Sequence, residues 1–248
     1  MTYFIIAALI TFIFTTVLAI AGVGAAFILI PIFVTLGVPL LTAMSTALLL
    51  NSIAMSVASF YNARAGLIVY KTAFPILIVA SILSPFGAIT AEHLSRTLLL
   101  WFFVAFLIFA GSMMLWYTPK KRVVSDHKKL ITYGVGVGAF AGYIGGLLGV
   151  GGGNLIVPAL VWLGFDPKKA SATTSFIVIF SSFSGFLGHI SVGNIDHNLL
   201  LLCAIGSILG ALLGNYLMRK KLSAPQVRKV IGIVLYIIAI KIIWDLLK

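Results

Sequence analysis

Charge is what this sequence lacks. Only 9% of its 248 residues are Asp, Glu, Lys or Arg, against roughly a quarter in a soluble domain. A chain so poor in charge cannot coat a water-facing surface, so a pair of soluble domains is excluded although the length would allow it. Acids are scarcest: Glu92, Asp126, Asp166, Asp196 and Asp245 are the full set. No two of them share an apolar run, which argues against a buried acid–base enzyme. Cysteine is reduced to Cys203 inside an apolar run. That rules out an intrachain disulfide and leaves a structural thiol as the expected role. No metal-ligand spacing, Ser-His-Asp set or HExxH sequence is visible, and no cofactor or metal is expected.

What fills the chain is apolar. Hydrophobic residues make up 61%, and the mean hydropathy is +1.18. Runs of about 20 apolar residues are what a membrane crossing needs. Eight such runs occur, at 2–20, 42–62, 73–91, 97–117, 130–148, 170–190, 198–218 and 229–247. Two further pieces, near 25–36 and 153–164, are too short to cross comfortably. The expected fold is all-α: a polytopic membrane protein with eight long helices and two short ones. The start, Met1-Thr2-Tyr3-Phe4, has no basic region ahead of its apolar run. It reads as a retained first span, not a signal peptide. Trp101, Trp116, Trp162 and Trp244 lie towards span ends, as an interfacial belt would have them.

Each short piece follows a glycine-rich break, Ala21-Gly22-Val23-Gly24 and Gly149-Val150-Gly151-Gly152-Gly153. A shift of 127 maps one half of the chain onto the other without a gap. Gly22 falls on Gly149, Gly24 on Gly151, Pro31 on Pro158, Gly37 on Gly164, Gly66 on Gly193 and Gly87 on Gly214. Apolar matches between spans are cheap, but glycine and proline have positional backbone roles. Two homologous repeats are therefore expected, at 1–118 and 130–248, joined by a basic loop at 119–129.

The net charge of +12 fits topology better than nucleic-acid binding. Arg64 and Lys71, then Lys120 to Lys129, then Lys168 and Lys169, then Arg219 to Lys229 form four basic clusters. If each short piece returns the chain across the membrane, the repeats are inverted and all four clusters share one side. If it does not, the central and last clusters fall on opposite sides. Positive charge gathered on the inner side favours inversion.

Broken backbone in a bilayer is tolerated only against protein or a watery cavity. Where a helix restarts, free N–H groups and the positive dipole end make a ready anion site. Two breaks at matched positions are the sequence pointer to a transporter site. The alternative, close helix packing, suits Gly134, Gly138, Gly142 and Gly146, and likewise Gly206, Gly210 and Gly214, which recur every four residues. A Walker loop is excluded at 149–153, since no Lys-Ser/Thr follows. Polar runs lie in the helices beyond each break: Ser45, Thr46, Asn51, Ser52 and Ser56 in one, Ser171, Thr173, Thr174 and Ser175 in the other. Taken singly, these hydroxyls are expected to bond within or between helices. Their clustering beside both breaks points to a cavity. The substrate-binding candidates are Gly22, Gly24, Ser45, Thr46 and Asn51 from the first half. From the second half they are Gly151, Gly152, Gly153, Asn154, Thr173, Thr174, Ser175 and His189. Asn154 could contact an anion or cap its helix. His189 could bind an anion or carry a proton, though an interfacial position near Asp196 and His197 explains it as well. Arg64 reads as a topology anchor.

Gly146-Leu147-Leu148-Gly149-Val150-Gly151-Gly152-Gly153 with Pro158 and Ala172-Thr173-Thr174-Ser175 resembles the signature of the TauE/SafE permeases. A degenerate copy, Gly22-Val23-Gly24 with Pro31 and Ala43-Met44-Ser45-Thr46, fits that family's duplicated architecture. The resemblance covers about residues 4–247. It implies a permease of the prokaryotic cytoplasmic membrane, handling sulfite, organosulfonates or related anions. The first copy departs from the pattern: Ala25, Ala26 and Phe27 stand where the second has Gly152, Gly153 and Asn154. The two halves are therefore expected to contribute unequally. The leading expectation is transport of a small anion by alternating access, with a proton or other ion as coupling partner and lipid as surroundings. An anion channel, a membrane enzyme and a structural scaffold are the rivals, and homo-oligomerisation stays open.

Overall fold

The computed structural model describes residues 2–35, 37–91, 95–116, 127–189 and 197–247. Ten helices follow in order among them: α1 (Thr2–Ala21), α2 (Ala26–Thr35), α3 (Leu40–Arg64), α4 (Tyr70–Thr90), α5 (Arg96–Trp116), α6 (His127–Leu147), α7 (Gly153–Trp162), α8 (Pro167–His189), α9 (His197–Tyr216) and α10 (Ala224–Leu246). No strand occurs among the described residues. The 127 shift carries each of α1 to α5 onto the matching helix of α6 to α10 within a few residues. A π-turn over Leu217–Lys221 extends α9.

Five helical stretches among the described residues are long and apolar enough to cross a membrane: Thr42–Arg64, Tyr70–Thr90, Leu130–Leu147, Pro167–Gly188 and Leu199–Lys221. Outward-facing side chains are large and apolar, Phe109, Leu201 and Ile240 being more than half exposed. A surface of this kind marks contact with lipid. Each of the four tryptophans is at least 43% exposed.

Glycine stripes set the closest helix pairs. A Cβ on Gly138, Gly142 or Gly146 of α6 would strike the backbone of Ile76, Ala80 or Ser84 on α4. Gly206, Gly210 and Gly214 of α9 meet Ala8, Phe12 and Thr16 of α1 in the same way. Backbones this close gain dispersion along their full length and need small residues at each crossing. The ascending registers show that α4 runs parallel to α6, and α1 parallel to α9. By contrast α3 and α8 run antiparallel, since Ser52 bonds Ile179 while Asn62 bonds Ser175. α5 and α10 are antiparallel too, with Gly111 against Tyr236 and Gly232 against Leu115.

These directions gather the basic ends. Arg219 reaches the carbonyl of Tyr61, and the Lys168 ammonium reaches the carbonyl of Arg219. The ends of α3 and α9 and the start of α8 therefore adjoin. α4 begins at the same end, where the Val69 N–H meets Thr173. α6 starts beside the start of its parallel neighbour α4, which brings Lys128 and Lys129 to that end as well. Residues 120–122 of the central cluster lie outside the described residues.

One bond shows how a broken helix is repaired. Pro85 lies inside α4 and has no N–H to give the Ser81 carbonyl. The Ser184 hydroxyl of α8 donates to that carbonyl instead, at 2.6 Å.

Candidate functional site at the two helix breaks

Both breaks use the same backbone device. Gly22 and Gly149 adopt φ of 74° and 69°. The next residue's N–H returns to the carbonyl five residues back, Val23 to Leu18 at 3.3 Å and Val150 to Gly145 at 2.8 Å. This is the Schellman end of a helix, which glycine allows because it lacks a Cβ. A second positive φ follows at Gly24 (75°) and Gly151 (71°). The second break alone adds a third, Gly152 (75°), which is the N-cap of α7 and gives it no side-chain cap. The breaks touch: a Cβ on Gly153 would fall 2.8 Å from the Val23 backbone.

Between them sits Asn51. A Cβ on Gly24 would land on its carboxamide, and a Cβ on Gly151 would meet both its amide nitrogen and the Ser182 hydroxyl. One end of the amide donates to Ser182 Oγ at 2.9 Å. The other end, Oδ1, has no hydrogen-bond partner among the described residues. Asn51 is 1% exposed and Ser182 fully buried. Leaving such an end unpaired costs roughly 1–3 kcal/mol, so it marks a place where something other than packing is served. Asn154 Oδ1, at the second residue of α7, and Thr174 Oγ1 on α8 are likewise buried without a partner among the described residues. Ser181 Oγ donates to the Gly151 carbonyl at 2.9 Å and holds the second break against α8.

The other candidates divide. Gly22 abuts Ser171, whose hydroxyl donates to the Ile20 carbonyl at the end of α1. Gly152 and Gly153 form the start of α7. Thr46 bonds back to Thr42 of its own helix, and Thr173 holds the Val69 N–H. Ser175 donates to Ala172 and accepts from Asn62. Ser45 is buried on the α3 face. His189 closes α8, and its side chain lies outside the described residues. Residue-by-residue reading missed Ser182, Asn62 and Asn215. The last two are amides within apolar runs, a rarity in lipid that would have flagged them.

Among the described residues no charged side chain enters the Asn51 cluster. Its chemistry is amide, hydroxyl and helix N-terminus, which suits a small anion held by neutral dipoles. A cavity of about 260 Å³ lies elsewhere, between α5, α6 and α7, lined by Phe109, Phe140, Pro158 and Trp162. That lining is apolar and does not include the polar cluster.

Apolar outward faces and two helices broken at their buried centre define a multi-pass membrane protein. The family described as "Sulfite exporter TauE/SafE" matches residues 7–242. The chain belongs to that family. It is 31% identical over 170 residues to "Probable membrane transporter protein YunE" of Bacillus subtilis, covering 61% of each chain. It is 34% identical over 100 residues to "Sulfite exporter TauE/SafE family protein 1" of Arabidopsis thaliana, covering 38% of this chain and 22% of that one. A "Probable membrane transporter protein" of Haemophilus influenzae is 28% identical over 231 residues, 92% of this chain and 89% of the relative. The match thus spans less than two thirds of the first two relatives' length. No solved structure matches the chain.

Proposed function

We propose that this protein is a secondary transporter for a small oxyanion of the sulfite or organosulfonate class, working by alternating access in the cell membrane. The observation that carries the reading is the meeting of the two helix restarts, at Gly24 and Gly151, around the buried carboxamide of Asn51. Neutral donors and two helix N-termini can replace an anion's hydration without fixing it too tightly to leave. The relatives' printed names, membrane transporters and sulfite exporters, support the substrate class.

In this reading the chain consists of two inverted repeats, 1–118 and 130–248, with eight long spans and two short helices. The antiparallel α3–α8 and α5–α10 pairs and the shared basic end support the inversion, since helices related by the 127 shift point in opposite directions only if each half has an odd number of passages. The halves rock about the Asn51 site, driven by a proton or other ion gradient. Site residues beyond Asn51 are Ser182, Asn154, Thr174 and the glycines of both breaks. The test is flux of labelled sulfite and sulfonates in proteoliposomes. Saturable flux that responds to an imposed gradient is expected, and loss of it in Asn51→Leu. Absence of flux across a broad panel of anions overturns the proposal.

A further inference from the structure

A second polar assembly lies at the basic end and takes no part in the Asn51 site. Arg219 Nε donates to Asn215 Oδ1 at 2.8 Å, Asn215 Nδ2 to Asn62 Oδ1 at 2.8 Å, and Asn62 Nδ2 to Ser175 Oγ at 3.2 Å. Asn62, Asn215 and Ser175 are all at most 1% exposed. Every bond points the same way, from the guanidinium into the core, so the dipoles reinforce one another. Arg219 also reaches the Tyr61 carbonyl at 3.4 Å and lies 5.4 Å from the centre of the Tyr61 ring. All these partners are neutral.

A guanidinium has five N–H donors, and two of them are used here. Its charge is oriented but not balanced by a carboxylate among the described residues. The Lys168 ammonium stands 3.4 Å from the Arg219 carbonyl and adds a second cation. Arg219 is carried on the π-turn Leu217–Lys221, an irregularity often found at functional sites. A mere topology anchor would not need two buried asparagines, because burying amides costs more than burying aliphatic side chains. Nor does the 127 shift reproduce the device. It carries Leu48 onto Ser175, Asn62 onto His189, Ala88 onto Asn215 and Glu92 onto Arg219.

We infer that Arg219, held in place by Asn215, Asn62 and Ser175, forms a second oxyanion-binding site at the basic end of the molecule. Its free N–H groups present the planar fork that binds two oxygens of one ligand at once. The site recruits the anion on that side of the membrane before it reaches the helix breaks. The inference rests on the anion-transport reading for its purpose but not for its measurement.

The experiment is a titration of the purified full-length protein with sulfite and with methanesulfonate at low ionic strength, read by thermal stabilisation. In an Asn51→Leu background the stabilisation should persist, and adding Arg219→Gln should weaken the apparent affinity about tenfold, the scale of one charged hydrogen bond. Arg219→Lys keeps the charge without the fork and should recover only part. Asn215→Asp is decisive, because it keeps the shape and tightens the hold on Arg219 while neutralising it, the Asn62 amide turning over to donate to the new carboxylate. Anion affinity should fall as far as in Arg219→Gln with the fold intact. A merely structural Arg219 predicts unchanged anion affinity in Asn215→Asp, and that result overturns the inference. So does wild-type flux whose half-saturation is insensitive to Arg219. Arg219-dependent binding without any flux would leave this site standing and overturn the transport reading instead.

Discussion

The two helix breaks share a backbone and differ in chemistry. Gly22 and Gly24 repeat the positive φ of Gly149 and Gly151 to within a few degrees, and both halves end their first helix with the same pair of returning bonds. The side chains do not follow. Asn51 and Ser182, the polar pair between the breaks, have Val178 and Met55 at the positions related by 127. Both of those are fully buried and pack in an apolar cluster with Ala54, Ala58 and Ala211. The α7 start has Gly152, Gly153 and Asn154 where the α2 start has Ala25, Ala26 and Phe27. Backbone geometry is thus held twice, whereas polar groups capable of touching a ligand are placed once. A buried polar group without a partner is costly, so a molecule that needs one site gains nothing from a second.

Substitutions can break this comparison, and the largest effect belongs to the glycines. Gly151→Ala combines a positive φ with a Cβ driven into Ser182 and Asn51. Strain and overpacking together should cost roughly 2–6 kcal/mol, read as a large drop in thermal unfolding temperature and loss of flux. Gly37→Ala is the control. Its φ is 86° with nothing within 4 Å of an added Cβ, so only the conformational cost of about 1–2 kcal/mol should appear.

Next come the polar pair and its apolar counterpart. Asn51→Leu should abolish flux with little net change in stability, because an unpaired amide end leaves the core while the buried Ser182 hydroxyl loses its donor. A stability loss of several kcal/mol with flux retained would show Asn51 to be a packing residue. Val178→Asn places an amide at the matching position without a prepared partner. It should cost about 1–3 kcal/mol in a denaturation curve and add no anion affinity. A gain in affinity would show that the apolar half-site is latent and not closed.

The smallest effect expected is that of Ser184→Ala. It strips the donor from the Ser81 carbonyl that Pro85 leaves open, and about 1 kcal/mol of stability should go with it. Flux should be little altered, since the bond lies outside the Asn51 cluster.

Much of this was legible in the residues. The helices sit where the apolar runs predict them, and the short pieces after the breaks are α2 and α7. The glycines spaced by four pack against α4 and α1, as that spacing implies. The candidate site was legible only in outline. Asn51 and the glycines of both breaks come together, but Thr46 is absorbed by its own helix and Thr173 by a loop N–H. One-dimensional reading counts hydroxyls near a break. It cannot say which of them are already engaged.

The sequence by itself determined membrane residence, the helical class, the location of the breaks and their relation by 127 residues. Hydropathy and glycine conformation act locally, so a chain declares them without being folded. Tertiary structure alone decided that Asn51 of α3 meets Ser182 of α8, 131 positions away. It also decided that Asn62, Asn215 and Arg219 join into one chain at the basic end. Those pairings depend on the direction and register in which helices pack, and lipid-facing sequence carries little information about either. They are set where backbones approach most closely, at the glycine crossings of α4 with α6 and of α1 with α9.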